Sequence, residues 1–331
     1  MNYGKHKRKT RIIAIFVAIL CLLCVFTFVG CDKTSLPSLK GGLYVTYIDV
    51  GQGDSILIRF PDCKNMLIDC GNGSDFAVKN VKKNLKRFSV NKLDYLVLTH
   101  PDTDHVGGTA QALKNVGVVM AFVPEVVCKE DYEYYEQAYN FLEYKGATFD
   151  ISEQGKCFYD KDYFVGFLSP LPIGMSGSSY RDFNFSSQPT SSQINDVSPF
   201  IYLEYKGIRF LFTGDSGKTQ ELKLIEDYKK GVFNGYFKNA NVNINLSSID
   251  FLKVSHHGSD DGTCQEFLDL INPDNSIISV GGNNFYGHPS SSLLYRLKPE
   301  NSARQIWRTD YSGTIKVHVS LEGKINITTG N

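Results

Sequence analysis

The sequence predicts an α/β sandwich in which two mixed β-sheets lie face to face with helices outside. Three observations carry this. Strand-length apolar runs alternate with stretches of helical period; hairpin-like pairs interrupt that alternation, against a doubly wound parallel sheet; and several strand-like runs end in His or Asp where a loop begins. With 331 residues, 42% apolar and 21% charged, the balance is that of an ordinary globular chain of one large domain or two small ones.

Residues 1–30 stand apart from the rest. Lys5, Lys7, Arg8, Lys9 and Arg11 form a positive head, Ile12 to Val29 is almost wholly apolar, and Cys31 follows Gly30. The segment resembles a bacterial lipoprotein signal in which Cys31 becomes the lipidated N-terminus, although Phe28 stands where that pattern has Leu or a small aliphatic residue. An uncleaved membrane anchor is the other reading, since the run is long enough to cross about 30 Å of hydrocarbon. Either one tethers an extracytoplasmic domain to the membrane, because the positive head stays inside. Residues 31–42 read as a polar tether and 43–331 as the functional domain.

The whole chain has 35 basic and 35 acidic residues; residues 1–30 hold five basic and no acidic ones, so the remainder carries 30 − 35 = −5. A mildly acidic domain does not coat nucleic acid through its net field, though a local basic stripe remains open to it. The domain has Cys63, Cys70, Cys128, Cys157 and Cys264. One or two pairs could be oxidised outside the cell, and the absence of a CxxC spacing argues against a cysteine zinc site.

Within the domain, "LYVTYIDVG", "DSILIRF" and "MLIDCG" read as strands with a turn at "PDCKN". Val78, Val81, Leu85 and Phe88 then recur at helical spacing, with Lys79, Lys83 and Lys86 on another face. Strand "LDYLVLTH", a helix from near Gly108, strand "VVMAFVPE", a Tyr-rich helix from Asp131 to Lys145 and a strand near "ATFDIS" follow. Residues 174–193 are loop by composition. Strands "PFIYLEYKG" and "IRFLFTGD", a helix, an Asn-rich loop over 239–245, strand "DFLKVSHHGS", helix "CQEFLDLI", strand "SIISVGG", helix "SSLLYRLK" and the hairpin "GTIKVHVSLEGKINIT" complete the chain.

On this scaffold Asp69, His100, Asp215, His256 and His257 all fall at strand ends, where loops from one edge of a layered fold converge on rigid supports. "THPDTDH" followed by "GG", then "TGD" and "SHHGS", resemble the metallo-β-lactamase fold hydrolases, and above all the extracytoplasmic hydrolase domain of ComEC-type competence proteins. "YIDVGQGDSILI", "NDVS", "IISVGGNNFYGHP" and "RTDYSGTI" extend the resemblance from about Leu43 to Val319. It implies an αββα fold and two divalent ions, zinc or manganese, about 3.5–4 Å apart with a metal-bound hydroxide as nucleophile. By carry-over, His100 and Asp102 hold one ion and Asp104 and His105 the other. Asp215 bridges them, and His256 or His257 completes the second site, with His256 favoured as ligand and His257 placed beside the substrate. Asp69 orients a ligand from behind.

Two departures from the β-lactamase pattern matter. Asp102 replaces the second His of HxHxDH, and "NDVS" at Asn195 to Ser198 replaces the next ligand His; both are shared with ComEC-type domains. Oxygen for nitrogen makes the first site weaker, harder and more tolerant of manganese or magnesium, and argues against a β-lactamase.

Plainer readings accompany each feature. The His100–His105 stretch could be a polar loop capping a helix, and the chain could be a metal-free member kept as a surface-binding module. His288 either meets a leaving group or phosphate, or starts a helix beside Pro289. His318 reads as a structural strand residue, Lys79, Lys83 and Lys86 as a solvated face before phosphate steering, and the tyrosines from Tyr132 to Tyr144 as packing before base stacking. The expected function is exported hydrolysis of a phosphodiester, with DNA the substrate implied by resemblance and phosphorylcholine or another envelope phosphodiester the rival. The sequence carries no transmembrane channel, so DNA uptake by this chain alone is not expected, and no feature points to a stable protein partner.

Overall fold

The computed structural model describes residues 41–125, 132–171, 190–298 and 304–330. The expected signal or anchor, Cys31 and the tether up to residue 40, Cys128, and most of the expected loop lie outside them.

Strands β1 (Gly42–Tyr47), β2 (Ile56–Arg59), β3 (Asn65–Ile68), β4 (Lys92–Val97), β5 (Gly117–Val123) and β6 (Thr148–Ile151) open the chain. A second sheet follows from β7 (Cys157–Tyr159), β8 (Tyr163–Phe167), β9 (Ile201–Tyr205), β10 (Ile208–Phe212), β11 (Phe251–Lys253), β12 (Asn275–Ile278) and β13 (Gln305–Arg308). Strands β14 (Ile315–Ser320) and β15 (Ile325–Thr329) return to the first, giving the orders β15-β14-β1-β2-β3-β4-β5-β6 and β13-β12-β11-β10-β9-β8-β7. Both sheets are mixed. Pairing changes from antiparallel to parallel at β3 in the first sheet and at β10 in the second.

Alternation along the strands builds the layers. Val45, Tyr47, Ile56, Ile58 and Ile68 of one sheet share a core with Val165, Phe167, Phe210, Phe212 and Phe251 of the other. Leu211 and Leu252 turn to the opposite face of the second sheet, where Leu224 of helix Lys218–Lys229, Phe267 and Ile271 of helix Gln265–Ile271 and Leu293 of helix Ser291–Leu297 cover them. Leu57, Leu67 and Leu96 turn to the outer face of the first sheet and are also fully buried. Helix Asp75–Arg87 starts where the Ser74 hydroxyl accepts from the Ala77 amide; it buries Ala77, Val81 and Leu85 and leaves Lys79, Lys83 and Lys86 in solvent. The arrangement is an αββα sandwich.

The structure differs from the sequence expectation at several elements. The β7–β8 hairpin and β13 were not expected, nor was helix Val232–Tyr236. The helix expected from near Gly108 is two short ones, Thr103–Val106 and Thr109–Ala112. Residues Ser191–Asn195, partly inside the expected loop, are helical and begin with a capping box formed by Thr190 and Gln193. Among the described residues no disulfide joins cysteines; Cys70 and Cys264 are buried as thiols.

Candidate metal centre

Four loops meet at one end of the sandwich, and each follows a strand next to the switch in pairing. Asp69 follows β3, His100 to His105 follow β4, Asp215 follows β10, and His256 and His257 follow β11. Ligand sites at the carboxyl ends of parallel strands gain a rigid base from the hydrogen-bonded ladder beneath them.

The centre of the site is Oδ2 of Asp215. His105 Nε2 and His257 Nε2 each lie 3.3 Å from it, His256 Nε2 at 3.9 Å and His100 Nε2 at 4.0 Å. Asp104 Oδ2 is 3.2 Å from His257 Nε2, and Asp102 Oδ2 is 3.7 Å from His100 Nε2. The imidazoles of His100, His105 and His257 are buried, whereas the Asp102 and Asp104 carboxylates are partly open to solvent and form the mouth.

Every imidazole is held by its other nitrogen. His105 Nδ1 is 2.8 Å from Asp69 Oδ2, and Asp69 is itself held by the Thr99 amide at 2.8 Å and hydroxyl at 2.7 Å. His257 Nδ1 donates to the Ser279 carbonyl at 2.9 Å, and His256 Nδ1 is 3.0 Å from the Asp261 carboxylate. His100 Nδ1 faces the hydroxyls of Thr99 at 3.1 Å and Ser198 at 3.2 Å. With each Nδ1 so engaged, four Nε2 atoms and the Asp215 carboxylate converge on one space. His105 Nε2 and His257 Nε2 are 3.2 Å apart, and His100 Nε2 is buried with no hydrogen-bond partner. Ring nitrogens and carboxylates crowded this closely, one of them buried without a hydrogen-bond partner, form a set that cations can satisfy. The donor set therefore fits divalent ions.

The electrostatics agree. Burial disfavours the imidazolium of His257, but Asp215, Asp104 and Asp54 outweigh it and raise its pKa to about 10. Burial likewise opposes the charge on His105, and Asp215 and Asp69 still raise its pKa well above the usual value. Asp215, buried, and Asp104, partly open at the mouth, are held below the usual carboxylate range by His257 and His105. The negative charge is thus strong enough to keep protons on these rings, and a bound divalent ion would take their place.

Backbone geometry turns the ligands inward. Ser255–Gly258 is a tight turn with left-handed His256 (φ 45) and His257 (φ 51), and Asp69 is also left-handed at φ 57. Gly108 has an ordinary φ but no room: a Cβ there would lie 2.1 Å from the Cys70 carbonyl, against which the His105 loop packs.

All seven sequence candidates for metal ligands, His100, Asp102, Asp104, His105, Asp215, His256 and His257, fall in this basin, with Asp69 behind His105. One expectation is corrected. His257, not His256, stands between Asp104, His105 and Asp215, because the left-handed turn swings it inward; His256 is at the rim, its side chain 26% exposed. His288 lies outside the cluster, its ring 5.5 Å from that of His256 and stacked on Tyr286. Asp102 is the N-cap residue of helix Thr103–Val106 yet makes no side-chain capping bond, so capping does not account for its carboxylate. His318 stacks on Tyr44 and bonds the Gly41 carbonyl, a structural position. The sequence reading missed Asp54 and Lys253. Asp54 belongs with His105, Asp215 and His257 to a buried group whose ligand atoms lie within 4.8 Å of one another.

The metallo-beta-lactamase superfamily model matches residues 48–172. ComE operon protein 3 of Bacillus subtilis (strain 168) is 27% identical over 326 residues, covering 94% of this chain and 37% of that protein. Competence protein ComA of Neisseria gonorrhoeae is 26% identical over 304 residues, 91% of this chain and 36% of its own. The chain thus spans little more than a third of the length of these curated relatives. Among solved structures, the metallo-beta-lactamase fold protein YhfI from Bacillus subtilis aligns at TM-score 0.49 and 10% identity, covering 83% of this chain and 99% of that one. The superfamily match over the first ligand motif, the two-sheet topology and the similarity of nine-tenths of this chain to a part of the competence proteins agree: this chain has the metallo-β-lactamase fold and is similar to the ComEC-type competence proteins.

Proposed function

We propose that this chain is a metal-dependent phosphodiesterase with DNA as its foremost substrate, held at the outer face of the membrane. The observation that carries the reading is the convergence of four imidazole Nε2 atoms on one oxygen of Asp215. His100 and Asp102 would hold one divalent ion, Asp104, His105 and His257 the other, with Asp215 between them. Such ions, zinc or manganese, supply a water acidified towards neutral pH and polarise a phosphoryl oxygen. Asp69, Ser279 and Asp261 hold the rings of His105, His257 and His256 in register. The open Asp102 and Asp104 edge would admit the phosphate, and the 5.5 Å separation of the His288 ring from that of His256 supports a part for His288 at the leaving group or a phosphate oxygen. Similarity to two competence proteins supports nucleic acid as substrate.

The test is to count ions in the purified full-length chain and assay single- and double-stranded oligonucleotides and bis-p-nitrophenyl phosphate, with wild type and Asp215→Ala. The variant should keep the fold, lose the ions and fall in turnover by about 10³-fold or more; two ions and wild-type turnover in Asp215→Ala would sink the assignment. A second reading, an esterase of phosphorylcholine or other envelope phosphodiesters, draws on the net charge of −5 (30 − 35) outside residues 1–30. Choline phosphodiester hydrolysis without salt-sensitive oligonucleotide binding would select it, and absence of metal uptake would leave a surface-binding module. Tethering at Cys31 predicts that fatty-acid labelling is lost in Cys31→Ala; labelling that persists in the variant would leave only an uncleaved anchor.

A further inference from the structure

Lys253 is out of place by register. It ends β11, where Phe251 faces the core between the sheets and Leu252 faces the helices, so its side chain returns to the inter-sheet side, where it is 0% exposed. Its Nζ meets Asp54 Oδ2 at 2.6 Å, donates to the Gly214 carbonyl at 3.2 Å and stands 4.0 Å from Asp215 Oδ1. Asp54 comes from the other sheet, in the loop between β1 and β2, and its Oδ1 is 3.7 Å from His257 Nδ1. The pair therefore joins the two sheets beneath the metal centre.

Stability does not explain it. Desolvating two charges costs about as much as their attraction returns, and apolar residues of similar volume commonly do as well or better. Position does. Asp215 Oδ1 is buried with no hydrogen-bond donor, while Oδ2 faces four imidazoles. An ammonium has three hydrogens; Asp54 and Gly214 take two, and the charge that remains faces Oδ1. Gly214 adjoins Asp215 in a left-handed conformation (φ 51), so the bond to its carbonyl also braces the backbone that sets the carboxylate.

We propose that Lys253, braced by Asp54, is a positioning residue that fixes the carboxylate of Asp215 so that Oδ2 alone is presented to the ring nitrogens, setting the spacing of two bound cations. This rests on the reading of the basin as a site for two divalent ions. A purely structural pair would alter folding and leave the ions unchanged; a positioning pair alters how the ions sit.

The experiment strips the full-length chain with chelator, reloads it with manganese, counts bound ions and records the electron paramagnetic resonance of the coupled pair. Wild type should bind two ions with a spin-coupled signal. Asp54→Asn/Lys253→Met removes one charge of each sign, so the net charge beside the ions is unchanged. It should fold, bind the second ion about tenfold or more weakly and show uncoupled manganese, as expected for a change behind a ligand. Two ions with wild-type affinity and coupling in this variant would overturn the inference while the ion site stands. Should the double variant not fold, Asp54→Asn alone keeps a hydrogen bond to the ammonium but holds it less firmly, and the second ion should weaken there too; wild-type uptake would again overturn the inference. A wild type that takes up no manganese would remove the site itself, and the positioning role with it.

Discussion

At the scale of single residues the site departs from nitrogen-rich zinc centres chiefly at Asp102. Its Oδ2 lies 3.7 Å from His100 Nε2, where the β-lactamase pattern has an imidazole, so the first ion would meet one nitrogen fewer and one hard oxygen more. Asp102→His should raise zinc affinity at that site by about tenfold or more and lower the preference for manganese, leaving the ion held by Asp104, His105 and His257 in place. Titration of the stripped variant with each metal checks this, and an unchanged zinc-to-manganese ratio would show that residue 102 is not a ligand. The same scale shows what the sequence could reveal. His100, Asp102, Asp104 and His105 are legible because they crowd into six positions at a strand end. Asp54 and Lys253 are not, since one reads as a turn residue and the other as an interior position of a strand. Only the period of two beneath Phe251 and Lys253 hints that a charge points inward.

At the scale of elements, strands announced by long apolar runs were legible and those that borrow burial from neighbours were not. Strand β8 is buried along its whole length between β7 and β9, yet it contains Gly166 and follows the polar Asp160 to Asp162, so neither alternation nor a long run marks it. Strand β13, "QIWR", is polar at both ends and is fixed by parallel pairing to β12, a partner distant in sequence. The ligand loops obey a different logic. Their form depends on close approaches between backbones, as at Gly108 against Cys70 and at Gly53, where a Cβ would lie 2.2 Å from the Asp104 carbonyl. A sequence shows the glycines and not what they touch. That is why the two histidines after β11 could not be ranked by order alone: the left-handed turn at His256 and His257 reverses which ring goes deeper.

For the whole molecule, the main consequence is that each sheet supplies only half of the centre. His100, Asp102, Asp104 and His105 leave the eight-stranded sheet, while Asp215, His256 and His257 leave the seven-stranded one. Bound ions would therefore cross-link the two layers at the end of a core that apolar contacts and the Asp54–Lys253 pair already join, and would bind the unfolded chain, with its scattered ligands, far less well. At free ion a hundred times the dissociation constant, one such site adds about 2.7 kcal/mol, and a unit of this size gains roughly 2 °C per kcal/mol. The chelated protein should thus melt several degrees below the loaded one, and the gap should widen with the logarithm of added manganese. Asp215→Ala should melt at one temperature whatever the metal concentration, because the carboxylate on which the imidazoles converge is gone. Calorimetric scans of both proteins across a manganese series test this. A wild-type melting temperature indifferent to chelator and to manganese would mean that the two sheets are not joined through metal, and that the converging imidazoles serve some other cation or none.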